Sequence, residues 1–117
     1  MVQSVLNEKV DAYKLGVGHM NEALPNVVEA YNAFTAACFA DGQLSRKHKQ
    51  LVALGIALFA NNEVCTVYHA TEAVAAGAAP QEVLEAVAVA AAVGGGHSMS
   101  QGVTRVQQVL EKQFPVQ

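Results

Sequence analysis

An all-α fold of about six helices follows from three features of the 117 residues. Apolar side chains recur at three- and four-residue spacing, proline and glycine fall at helix boundaries, and no stretch alternates convincingly with period two. The length fits one domain spanning residues 1–117, without linker or internal repeat. The chain is 52% hydrophobic but only 6% aromatic, and much of the apolar content is Ala and Val. Such helices pack closely yet each buries little surface, so the domain is expected to gain stability as a homo-oligomer.

Each helix has its own reason. From residue 4 to about 23, Val5, Val10, Tyr13, Leu15, Val17 and Met20 recur in a loosely amphipathic pattern that Gly16 and Gly18 weaken. Pro25 suits the first turn of a second helix, whose apolar side carries Val28, Tyr31, Phe34 and Cys38 before Asp41-Gly42 stops it. Ser45 is an N-cap for Arg46 to Asn61, a run apolar around so much of its circumference that it should be central. A fourth helix runs from about Glu63 to Ala76 and closes at Gly77, which can take positive φ. Pro80-Gln81-Glu82 opens a fifth, ending near Val93 at Gly94-Gly95-Gly96, and a sixth runs from about Ser98 to Phe114, where Pro115 ends it.

Composition excludes several classes. The formal charge is -3, and the basic cluster Arg46-Lys47-His48-Lys49 has no interleaved aromatic residues, so it reads as a solvated helix face rather than a nucleic-acid surface. Two cysteines, Cys38 and Cys65, are too few for a disulfide scaffold and fit a reducing compartment. The first residues lack the pattern of a signal peptide, and the apolar runs 51–60 and 86–93 are too short to span a membrane. A cytoplasmic protein is expected. Cys38, on the apolar side of its helix, is read as a core residue.

The candidate chemistry begins with Cys65 and His69. Four residues apart on a helix, they share one face, where an imidazole can hold a thiol partly ionised; the same spacing also arises by accident between two packing residues. His97 follows the glycine run, whose N–H groups could receive a carboxylate or oxyanion, although the run could equally be a tight turn. Cys65, His69 and His97 could ligate zinc, but no fourth ligand is evident, and neither a metal nor another cofactor is expected. His19 and His48 read as surface residues without partners.

The order of residues from Ser45 to about Gly102 is more specific than any of these spacings. A helix opening Leu44-Ser45-Arg46-Lys47-His48-Lys49-Gln50-Leu51 is followed by Ala60-Asn61-Asn62, Cys65-x-x-x-His69, Ala76-Gly77-Ala78, Pro80-Gln81-Glu82-Val83 and the glycine run. This order resembles the alkylhydroperoxidase D and carboxymuconolactone decarboxylase family. For its peroxidase members the resemblance implies Cys-x-x-Cys-x-x-x-His with a glutamate on the preceding helix: the second cysteine attacks a hydroperoxide, the first resolves the sulfenic acid, and Glu and His relay the proton. Cys65 and His69 fall on the attacking and relay positions, whereas Asn62 stands at the resolving position and Gln50 at the glutamate. A two-cysteine cycle within the motif is thereby excluded, and an external thiol, another subunit or Cys38 would have to resolve Cys65.

Gln50 can orient a group but cannot take up a proton at neutral pH. Glu63 and Glu72 are possible substitutes, with solvated surface carboxylates as the simpler reading. For decarboxylase members the resemblance implies histidine chemistry on a small carboxylated lactone, which would use His69 and His97. A member that kept the fold but only binds a ligand is the third reading. The resemblance also implies a trimer or hexamer.

Overall fold

The computed structural model describes the backbone of residues 2–115 and the side chains of residues 8–115, so Val5 lies outside the described side chains. Among the described residues the chain is six helices and no strands. They are α1 (Val2–Ala23), α2 (Pro25–Phe39), α3 (Arg46–Phe59), α4 (Glu63–Ala75), α5 (Pro80–Gly94), and a sixth in three parts: α6 (Gly96–Gln101), a π-helical stretch (Gly102–Val106) and α7 (Gln107–Gln113). No described helix is long and apolar enough to cross a membrane.

The boundaries sit where local chemistry sets them. Pro25 and Pro80 occupy the first turns of α2 and α5, where a missing N–H is harmless. Ser45 caps α3 by accepting the His48 N–H, and Glu82 accepts the Ala79 N–H at 3.0 Å at the start of α5. Between α3 and α4 the two asparagines divide the work. Asn61 takes the left-handed φ of 56° that ends α3, a conformation asparagine tolerates better than most residues, and Asn62 caps α4. Gly77, at φ 104°, closes the end of α4 as its position suggests.

Helices α3, α4, α5 and the sixth helix enclose the core, which is built from Leu54, Leu58, Val67, Ala70, Val83, Val87, Val106 and Val109 among others. α3 is central through Leu54 and Leu58, but its apolar circumference is not wholly buried. Val52, Ile56 and Phe59 stay more than half exposed. The second helix departs further from expectation: Val28 is its buried residue, while Tyr31 and Phe34 are more than half exposed and Cys38 is exposed rather than in the core. The cause is placement. α1 and α2 pair as a hairpin laid against α4 and α3, and an alanine-rich α2 can bury only a narrow strip there.

The glycine run is a packing turn. Gly95 needs its positive φ of 89°, and a Cβ on Gly94 would stand 2.5 Å from Ser98 Oγ and 2.7 Å from Phe59 Cδ1. The Gly95, Ser98 and Met99 N–H groups are already bonded to helix carbonyls. The sixth helix therefore begins at Gly96, two residues before the sequence suggests. Its π-helical stretch starts at Gly102, where a Cβ would run into the Val87 side chain. Gly102→Ala is expected to destabilise the fold by about 1–3 kcal/mol through overpacking, and Val87→Ala should recover part of that loss. Urea titration of the two single variants and the double variant checks it.

Candidate functional site

The site is a cavity of about 530 Å³ between the α1–α2 hairpin and the N-terminal halves of α3 and α4. Cys65 and His69 both line it, on consecutive turns of α4, and Gln50 reaches it from α3. Asn62 does not face it as a redox partner would. Its Oδ1 accepts the Cys65 N–H at 2.9 Å, so Asn62 is the N-cap of the helix that carries Cys65.

His69 is held on three sides. Its Nδ1 lies 2.7 Å from Gln50 Oε1, which can only accept, so Nδ1 carries the hydrogen and Nε2 is left with the lone pair. The Phe39 ring stacks on the imidazole with centroids 5.6 Å apart and planes 17° from parallel, and Tyr68 meets it edge-on at 5.1 Å. Burial pushes the His69 pKa below the ordinary histidine value, against a smaller upward pull from the Glu72 charge. His69 is thus a neutral base at neutral pH. Gln50 is itself 2% exposed, so its amide stays in one position and fixes the tautomer.

Charged groups surround this core. Arg46 donates from Nη2 to Glu72 Oε1 at 3.0 Å and lines the cavity, as does Lys14. Burial, with the Glu72 charge acting in the same direction, pushes the Tyr68 phenol up. The carboxylates weighed as substitutes are both committed: Glu72 to Arg46, and Glu63 to Lys9 and to Arg105 at 3.3 Å. The cluster Arg46-Lys47-His48-Lys49 is not simply solvated. Lys47 pairs with Glu82 at 2.9 Å, Lys49 donates to the Ala40 carbonyl at 2.6 Å, and His48 Nδ1 sits 2.8 Å from Ser45 Oγ.

His97 lies elsewhere. Its Nε2 is 2.9 Å from the Phe59 carbonyl and its ring tilts against Phe59, while the cavity wall does not include it. Cys38 is likewise absent from that wall. Among the described residues no three His, Cys, Asp or Glu side chains gather as metal ligands, so Cys65, His69 and His97 do not form the set that spacing allowed. Sequence reasoning missed Phe39, Tyr68, Arg46 and Lys14 as wall residues. Only Arg46 carried a signal, as part of the basic cluster, and that signal pointed to solvent.

The sequence model of the carboxymuconolactone decarboxylase family matches residues 25–108, from α2 into α7. An uncharacterised protein encoded in the cox locus of Paracoccus denitrificans is 31% identical over 80 residues, 68% of this chain and 72% of that protein. Among solved structures, a carboxymuconolactone decarboxylase family protein from Legionella pneumophila superposes with a TM-score of 0.86 at 21% identity, covering 95% of this chain and 97% of that one. A Thermotoga maritima protein of the same family, linked by name to an antioxidative response, gives 0.77 at 23% identity over 90% of this chain and 89% of that one. At those identities the likeness is one of fold, whereas the family model spans most of the chain. The chain therefore belongs to the carboxymuconolactone decarboxylase family.

Proposed function

We propose that this protein reduces a hydroperoxide through Cys65. The single observation that carries the reading is that Cys65 shares a cavity with a histidine whose Nδ1–H is anchored on Gln50 and whose Nε2 is free to take a proton. The thiol proton passes to Nε2 as sulfur attacks the terminal peroxide oxygen. The O–O bond breaks, the proton goes to the departing alkoxide, and the products are Cys65 sulfenic acid and an alcohol, or water from hydrogen peroxide. Sulfur loses two electrons and the peroxide gains them. An external thiol then condenses with the sulfenic acid, releasing water and forming a mixed disulfide, and a second thiol displaces Cys65 from it.

We assign this role to an external thiol because Asn62 holds the resolving position and Cys38 lies off the cavity wall; a cysteine of another subunit is the other route. A lyase built on His69 together with His97 has less support, since His97 bonds to the Phe59 carbonyl instead. We also read the chain as a homo-oligomer. Leu24, Val27 and Phe34 on the α1–α2 hairpin are half or more exposed, the kind of apolar surface that a second copy covers.

Mass spectrometry of the intact protein after substoichiometric peroxide, with a dimedone-type trap, tests the reading. One adduct on Cys65 is expected, and Cys65→Ser should consume no peroxide with any thiol reductant. An unmodified Cys65 in the wild-type protein overturns it.

A further inference from the structure

The cavity is much larger than the chemistry at Cys65 requires. A water molecule takes about 30 Å³ in the liquid, and hydrogen peroxide is of the same order, whereas this cavity holds about 530 Å³. That volume is in the range of sites for organic ligands of moderate size. Part of the wall is apolar, with Val10, Val17, Phe39 and Val64. The remainder is not neutral. Lys14 and Arg46 both line it, and among the described residues no Asp or Glu does, in a chain that carries ten acidic side chains against seven basic ones.

Arg46 is ion-paired with Glu72, but the pair does not use up its donors. Glu72 stands outside the wall and engages one Nη2 of a guanidinium that has five N–H donors in a planar fork. With Lys14 added, the group keeps one net positive charge. We propose that the substrate of this site is an amphipathic organic acid. Its apolar body, bearing the hydroperoxide, lies along Phe39 and Val64, and its carboxylate is taken by Arg46, with Lys14 adding attraction from the rim. The substrate class rests on the peroxidase reading above, but the carboxylate site is measurable without it.

The probes are 3-phenylpropionate and 3-phenylpropan-1-ol, which share a body and differ in the carboxylate, titrated calorimetrically into the full-length Cys65→Ser protein. The acid is expected to bind at least about tenfold tighter than the alcohol. Arg46→Gln should lower acid affinity by about ten- to a hundredfold, the range for a hydrogen bond to a charged group, and leave the alcohol within about twofold. Lys14→Glu, at an exposed position where folding is not at stake, should lower acid affinity at least about tenfold through like charge on the wall. Equal binding of the two probes, or parallel loss of both in Arg46→Gln, would overturn the proposal and leave Arg46 a structural ion pair. Acid-selective binding together with an unoxidised Cys65 under every hydroperoxide tried refutes the peroxidase step and leaves the carboxylate site standing. Equal oxidation of Cys65 by cumene hydroperoxide and its 4-carboxy derivative, without acid selectivity in binding, refutes the carboxylate site alone.

Discussion

Replacing His69 by alanine is expected to slow oxidation of Cys65 at pH 7 by about 10²- to 10⁴-fold, the range for loss of a placed general base. The imidazole can serve as that base because burial keeps it neutral and because the Gln50 carbonyl holds its hydrogen on Nδ1. Two further observations separate this role from a packing role. His69→Gln fills most of the space against Phe39 but supplies no base of comparable strength, so it should be nearly as slow as the alanine variant. In the wild-type protein the rate should also fall in acid as the ring protonates, with a midpoint below the ordinary histidine value of about 6.5, and that inflection should vanish in His69→Gln. Stopped-flow measurement of Cys65 oxidation between pH 5 and 8 checks both. A rate that His69→Gln leaves within about threefold, with the same profile, would remove His69 from the chemistry.

Much of the fold was legible because its signals are local. Pro25, Ser45, Asn61-Asn62, Gly77 and Pro80 each act on the turn in which they stand, and the boundaries fall beside them. Burial was less legible. The apolar spacing of α2 is real, yet Tyr31, Phe34 and Cys38 are exposed, since periodicity marks an apolar face without saying whether this chain supplies what covers it. The π-helical stretch had no signal in the sequence, and the close packing of Gly102 on Val87 of α5, where it begins, joins residues far apart in the chain.

The site divides in the same way. Cys65, His69 and Gln50, marked by one ordered motif, come together at one cavity, and Asn62 proves to be the helix cap that its residue type suits. His97 was drawn in by its place after the glycine run, which turns out to pack against Phe59 rather than open toward a ligand. Phe39, Lys14 and Tyr68 were not findable. Phe39 and Lys14 meet His69 or its cavity only through the packing of the hairpin on α3 and α4, a long-range arrangement that spacing along one helix does not encode, whereas Tyr68 stands beside His69 on α4 and had no motif to mark it.

Gln50→Glu is the substitution with the largest expected effect on stability, and its sign depends on pH. In the wild-type protein the folded-state pKa of His69 lies below its unfolded value, so below about pH 6.5 the unfolded chain binds more protons and stability falls as the pH drops. A glutamate at this buried position would place a negative charge against Nδ1–H and raise the His69 pKa above the unfolded value. The linkage then inverts: the variant's contribution from this pair is fully present below about pH 6.5 and is lost as pH rises through the raised pKa. Above it, a carboxylate only 2% exposed would face a neutral imidazole, and the variant should be less stable than the wild type by on the order of 3 kcal/mol at pH 8. The Glu82 carboxyl, held below its ordinary value of 4.5 by the Ala79 N–H and by Lys47, stays outside this window. Urea titrations at pH 5.5, 6.5, 7.5 and 8 should therefore show stability rising with pH in the wild type and falling in Gln50→Glu. The same rise in both proteins would mean that position 50 does not govern the proton on His69. The variant also separates a base from an acid at the site. With His69 protonated at neutral pH it cannot accept the Cys65 proton, so Gln50→Glu should speed peroxide reduction only if the new carboxylate takes over as the base, and should slow it if Nε2 is the acceptor that the Gln50 amide keeps available.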